Sequence, residues 1–355
     1  MSYEEEEALA PGWEAINHAF ATLYPHQEPK HYGTLIKYAF GGPDPLDGIS
    51  AYTAEEPIPH WHFVTYGFSE LYEKESEDTE YSGFGFELTF RLRKDIAEEE
   101  PPRWALHFLQ NIGRYVFQSG NVFAQGHYMD LNGPIAVEEN TTIRAITFVM
   151  DPQLEPLHTP NGRVELLQVV GITPDELTAI QSWSGTSFLP LLATNNPQFI
   201  TDLSRASVLH DPAIQQKVEE GIAAEGSSTG VLFVDQLDWQ EQKKLLAKNK
   251  FHIAIGAKQA NLIGTILASR IRNGKSLALA GTENHISFVS SEQNRVEGTP
   301  EDVTIYIRSD TADEIAAALS PKEQSIELPS WKQLIVHIVK TEIRNQQGEI
   351  VEVIG

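Results

Sequence analysis

The chain has 355 residues, 41% of them hydrophobic, and 50 acidic side chains against 26 Lys and Arg give a formal charge of −24. It has no cysteine, which excludes disulfides, thiolate catalysis and cysteine zinc sites and leaves His, Asp and Glu as possible metal ligands. So negative a chain repels phosphate backbones, no apolar run approaches a bilayer span, and the length predicts two domains.

The start, Met1-Ser2-Tyr3-Glu4-Glu5-Glu6-Glu7, is the opposite of a basic signal-peptide region, so a soluble cytoplasmic protein is expected, with no membrane or nucleic-acid partner. The acidic runs at 4–7, 73–80 and 98–100 read as solvated loops. They also suit attraction of a basic partner, which mainly speeds encounter.

In chain order, residues 12–24 predict a helix with Trp13, Ile16, Ala19, Phe20 and Leu23 on one face. Residues 34–40 and 61–68 read as strands. Between them, Gly41-Gly42-Pro43-Asp44-Pro45 is a rigid turn. Residues 84–92 alternate, with Phe84, Phe86, Leu88, Phe90 and Leu92 on one side and Glu87, Thr89 and Arg91 on the other, the pattern of a half-buried strand. Pro101-Pro102 precedes a helix over 103–119, ended by Gly120. Leu106, Leu109, Gln110, Gly113 and Phe117 share its inner face. Tyr115 lies about 200° around the axis from Phe117. An exposed Tyr there would be an interface anchor; an ordinary packed tyrosine is the alternative.

Strands follow at 143–149 and 163–170. Thr173-Pro174-Asp175-Glu176 is a capping box opening a helix, and Asp211-Pro212 opens another that runs to 223. Between them lie a helix at 186–193 and a short strand at 199–204. The small polar stretch 225–230 predicts the boundary between domains 1–225 and 226–355. Beyond it, strands are expected at 231–234, 251–255, 276–280, 285–290, 303–308 and 331–341. Helices are expected at 235–249, 257–272 and 311–319. The expected class is α+β: two mixed domains, mainly antiparallel sheets with flanking helices.

His60-Trp61-His62 is the sharpest metal candidate, because strand residues two apart share a face and two imidazoles can hold Zn²⁺. A third ligand at suitable spacing is missing. The other reading has one histidine buried beside Trp61 and the other in solvent. Ser182, Ser184, Ser290 and Ser291 lack a Gly-x-Ser-x-Gly elbow, and no nucleotide loop is present. No catalytic residue and no cofactor is expected.

Four strings stand out: Lys37-Tyr38-Ala39-Phe40-Gly41-Gly42-Pro43-Asp44-Pro45-Leu46-Asp47, Pro59-His60-Trp61-His62, residues 82–92 and Arg114-Tyr115-Val116-Phe117-Gln118-Ser119. Together they resemble the Suppressor of fused family. The resemblance implies two α+β domains closing on an extended peptide, which adds as a strand between sheets. It implies that Tyr115 lines the cleft from the first domain, and Val231 and Leu262 from the second. His127, with Asp130 close by, stands where animal members carry an aspartate, and Lys258 stands where they carry an acid. An imidazole cannot replace a carboxylate as a charge partner, so a different peptide is implied. The compact chain resembles the microbial branch, associated with toxin systems. Three readings follow: a non-enzymatic module binding a protein or peptide, basic in character, in its cleft; an immunity protein neutralising a cognate toxin; and a hydrolase or metal-dependent enzyme using His60 and His62.

Overall fold

The computed structural model describes residues 10–36, 38, 41–243, 248–299, 301–344 and 349–355. The acidic run at 4–7 lies outside the described residues. The chain forms two compact units, Met1–Leu177 with Gly185–Asp211, and Thr178–Ser184 with Pro212–Gly355.

The first unit is framed by one eight-stranded sheet. Its strands are β1 (Lys30–Gly33), β2 (Gly48–Ala54), β3 (His60–Tyr66), β4 (Tyr81–Arg93), β5 (Tyr128–Asp130), β6 (Ala145–Met150), β7 (Leu157–Thr159) and β8 (Gly162–Ile172). They run in the order β1-β2-β3-β4-β8-β6-β5, with β7 paired to β8. Two helices, α1 (Pro11–Leu23) and α2 (Arg103–Ser119), cover opposite faces. On one face Ile16 and Phe20 pack with Tyr52, Val64 and Tyr66. On the other Leu109, Ile112 and Val116 pack with Ala51, Phe63 and Phe90. Successive strand residues point to opposite faces, so the alternating pattern sorts them correctly.

The cover on both sides corrects the half-buried reading of β4. Glu87, Thr89 and Arg91 are as inaccessible as Leu88 and Phe90. The strand expected at 34–40 is also corrected. Pairing stops at Gly33, and Leu35 and Ile36 lie exposed outside any strand. Residues 37, 39 and 40 lie outside the described set.

Helix α2 ends as expected, with Gly120 at φ +71°. The third helix, α3 (Pro174–Ser182), opens on the capping box, Glu176 Oε2 accepting from the Thr173 N–H at 2.9 Å. Helix α4 (Gly185–Thr194) follows. The short strand expected at 199–204 reduces to a single bridge between Thr201 and Leu92.

The second unit begins its main run with α5 (Pro212–Glu225). The contact division therefore falls at 211 rather than 225, α5 joining the second unit where Gly221 meets Trp183. Next come β9 (Val231–Phe233), β10 (Leu237–Gln242), β11 (Lys250–Gly256), α6 (Ala260–Arg272), β12 (Leu277–Ala280), β13 (His285–Ser290), β14 (Arg295–Gly298), β15 (Asp302–Ile307), α7 (Ser309–Ala318), β16 (Gln324–Glu327), β17 (Leu334–Val339), β18 (Thr341–Arg344) and β19 (Ile350–Ile354). They build a five-stranded sheet β14-β15-β13-β12-β9, a four-stranded sheet β10-β11-β17-β16, and the hairpin β18-β19. Ile263, Ile266 and Leu267 of α6 share a core with Ile253 and Val336 of one sheet and Leu279 and Ile286 of the other.

The helix expected over 235–249 is overturned by β10, whose residues pair in antiparallel register with β11 from Leu237↔Ile255 to Gln242↔Lys250. Trp239 is buried between two exposed neighbours, a two-residue period that outweighs the helix preference of Gln, Glu and Lys. Residues 244–247 of that expected helix lie outside the described set. The strand expected at 331–341 is shorter, β17, and Thr341 begins β18. Pairing is mainly antiparallel, with parallel contacts at β4–β8, β9–β12, β13–β15 and β11–β17, as an α+β class requires. Among the described residues no helix is long and apolar enough to cross a membrane.

Candidate functional site

The histidine pair on β3 is built into the interior. Both side chains point to the face under α1 and neither reaches solvent, which corrects the reading with one exposed. His62 bonds through Nδ1 to the Tyr24 hydroxyl at 2.8 Å and through Nε2 to Asp151 Oδ2 at 3.2 Å. Asp151 also receives Thr89 Oγ1 at 2.7 Å and both Arg91 amino groups, at 2.7 and 3.0 Å. Burial and the neighbouring Arg91 charge push the His62 imidazole down to about 4. Burial works to raise the Asp151 carboxyl, but the His62 hydrogen bond and the Arg91 charge hold it well below the usual carboxylate range. His60 Nδ1 meets the Ile58 carbonyl at 2.7 Å, and its buried Nε2 has no partner among the described residues. No group of three His, Asp or Glu suited to a metal exists among the described residues.

Glu87, on the same face of β4, is a second buried cluster. It accepts from Thr65 Oγ1 at 2.6 Å, Gly67 N and Ser69 N at 2.9 Å, and Ser69 Oγ at 2.7 Å. Burial pushes its carboxyl up to about 7 against those donors. These bonds fix the turn after β3 and leave the carboxylate aimed at protein.

The exposed candidates of the first unit gather where α2 ends and β5 begins. Tyr115 is 40% exposed. Its hydroxyl accepts from Asn121 Nδ2 at 2.8 Å, and its ring stacks on Phe123, which stacks on Phe148. With Trp104, Phe108, Met129 and Leu131 it lines a cavity of about 600 Å³. His127 is exposed, and its Nδ1 accepts the Ala124 N–H at 3.2 Å. Asp130, also exposed, closes β5 and accepts the Asn132 N–H at 2.8 Å. Among the described residues β5 is one edge of its sheet, with β1 at the other.

In the second unit β9 is one edge of the five-stranded sheet, with β14 at the other. Val231 is half-exposed and Phe233, on the same side, is more exposed still, with Leu232 buried between them. Gln259 ties this strand to the start of α6, donating to the Phe233 carbonyl at 2.8 Å and accepting from Asp235 N at 3.0 Å. Lys258 lies beside it, Nζ 3.8 Å from Asp235 Oδ2. Leu262 is partly buried against the core. Phe233 was missed at the sequence level, although the alternation Val231-Leu232-Phe233 already places it on the Val231 face.

These features describe an α+β protein of two sheet-based units, whose buried carboxylates are bonded internally and whose edge strand β9 carries an exposed aromatic side chain. Residues 42–206 match the family described as Suppressor of fused protein (SUFU). The Suppressor of fused homologs of Homo sapiens and Mus musculus are each 40% identical over 235 residues, 61% of this chain and 48% of theirs. The chain spans about half the length of the curated relatives it matches. A solved structure described as the Sufu-Fu complex is 33% identical, covering 59% of this chain and 97% of that one, with a TM-score of 0.56. The crystal structure of Drosophila Suppressor of Fused shares the fold over 93% of this chain and 97% of its own, at 23% identity and a TM-score of 0.77. The chain belongs to the Suppressor of fused family.

Proposed function

We propose that this protein is a non-enzymatic, cytoplasmic interaction module that takes an extended segment of a partner protein as an added strand. The observation that carries this is the pairing of a sheet edge with an exposed aromatic in each unit: β5 beside Tyr115, and β9 with Val231 and Phe233. An edge strand offers main-chain hydrogen bonds to any extended segment, and the flanking side chains select among them. A protein partner also agrees with the relative described in a Sufu-Fu complex. On the family resemblance, one segment engages both units in the cleft between the domains, with His127, Asp130, Lys258 and Leu262 setting its side-chain preferences. The charge of −24 favours a basic partner.

Affinity capture from the native host, followed by binding measurements with the captured partner, tests this reading. Tyr115→Ala and Phe233→Ala should each weaken binding about tenfold or more, the usual effect of removing an aromatic anchor. If both variants hold every partner as tightly as the parent, the edge assignment is wrong.

A further inference from the structure

Phe117 lines a different groove from Tyr115. It is an open depression of about 640 Å³ in the first unit, and it shares no lining residue with the Tyr115 cavity. Its wall is aromatic: Tyr38 and Phe84 both meet the Phe117 ring edge-on, at 5.6 and 4.9 Å, and Phe68 lies beneath at 6.3 Å. Its rim is acidic. Asp47, Glu70, Glu73 and Glu75 line it, and among the described residues no Lys, Arg or His does.

The rim is held in place. Glu70 accepts from the backbone N–H of Glu75 at 2.7 Å and of Gly83 at 3.1 Å, and from Ser76. The buried Asn161 donates to the carbonyls of Glu70 and Tyr72 at 2.8 and 3.1 Å. Gly83, at φ +56°, lets the strand pass close under this loop, where a Cβ would lie 2.6 Å from the Phe68 carbonyl. Lys74 answers Glu70, while the side chains of Glu73 and Glu75 stand exposed. A surface already ordered loses little freedom when a ligand arrives.

From this geometry we infer that the groove is a second docking site, for a short segment of another protein carrying a large apolar side chain flanked by Lys or Arg. The apolar side chain fills the aromatic wall. The cation meets Glu73 or Glu75 and stacks over Tyr38 or Tyr72, both partly exposed, gaining cation–π attraction as well as charge pairing. Charge excludes the competing occupants. A second copy of this chain carries the same −24, residues 4–7 near its start are themselves glutamates, and nucleic acid would be repelled.

The test is selection of random twelve-residue displayed peptides on the full chain, followed by anisotropy measurements with the labelled winners. Winning peptides should place Phe, Trp or Leu next to Lys or Arg. Their affinity should fall about tenfold for the double variant Glu73→Lys/Glu75→Lys and for Tyr38→Ala. It should fall as salt rises and be untouched by Tyr115→Ala. Each substituted side chain is exposed, and an unchanged circular dichroism spectrum confirms the fold. Acidic or purely polar winners, winners indifferent to both rim and wall variants, winners lost only with Tyr115→Ala, or no winners at all would each overturn the assignment.

Discussion

Arg91 and Asp151 meet as a two-pronged ion pair inside the first unit, with neither side chain accessible to solvent. Asp151 is the hub of the cluster, shared with His62 and Thr89. Replacing it by Ala would leave a guanidinium buried without its counter-charge, which costs about 3–5 kcal/mol. Asp151→Ala should therefore lower the urea midpoint of the first unit sharply. The double variant Arg91→Met/Asp151→Leu should recover much of that loss, because no charge is then stranded. A single variant as stable as the parent would mean the pair is solvated in solution.

Glu87 and His62 make stability depend on pH in opposite senses. The Glu87 carboxyl is raised by burial from 4.5 to about 7. Its contribution is therefore full below about 4.5 and lost as pH rises to about 7, amounting to up to about 3 kcal/mol. The His62 imidazole is lowered by burial from 6.5 to about 4, so its contribution is full above 6.5 and lost as pH falls toward 4. The two slopes offset each other between 4.5 and 6.5. Glu87→Gln removes one of them. Its stability should rise with pH across that window more steeply than the parent's, as read from denaturation midpoints at half-unit steps. Parallel curves for the two proteins would show that Glu87 titrates normally.

How legible the molecule was depends on how far apart the interacting residues lie. The α2 helix, its Gly120 end and the Thr173–Glu176 box are local, and each is present as the sequence predicts. The β4 alternation identified the two faces, but burial of the second face depends on partners distant in the chain, Asp151 for Arg91 and Thr65 and Ser69 for Glu87. His62 could not be placed from its neighbours, because its partners are Tyr24 and Asp151, 38 and 89 residues away. Strand β10 was misread because Gln, Glu and Lys favour helices, whereas pairing with β11 and burial of Trp239 decide the outcome. The outward helical angle of Tyr115 was legible and left exposure and packing both open; the side chain is 40% exposed with its ring stacked on Phe123, a contact the helix pattern does not carry.

Gly120 isolates a purely backbone effect. It caps α2 at φ +71°, and a Cβ there would touch nothing within 4 Å. Gly120→Ala therefore adds no clash and removes only the freedom to adopt a left-handed conformation. The expected cost is about 1 kcal/mol. Gly120→Asn, which tolerates that region better, should cost less. Equal stability of all three proteins in urea would show that the helix ends differently in solution.

Gly221 poses the opposite problem, because there the backbone is ordinary and the space is missing. A Cβ on this α5 residue would lie 2.3 Å from Trp183 Cε2 and 2.5 Å from Cζ2. The indole cannot simply swing away. Its Nε1 donates to Glu225 Oε2 at 2.7 Å, and it is itself buried. Gly221→Ala should therefore push α5 and Trp183 apart and destabilise the second unit by about 1–3 kcal/mol, the usual cost of overpacking. Displacing the indole should also shift its fluorescence to longer wavelength. The diagnostic is Trp183→Leu in the Gly221→Ala background. A smaller side chain relieves the clash, so the second substitution should cost less there than in the parent. Additive costs would show that the two residues do not touch.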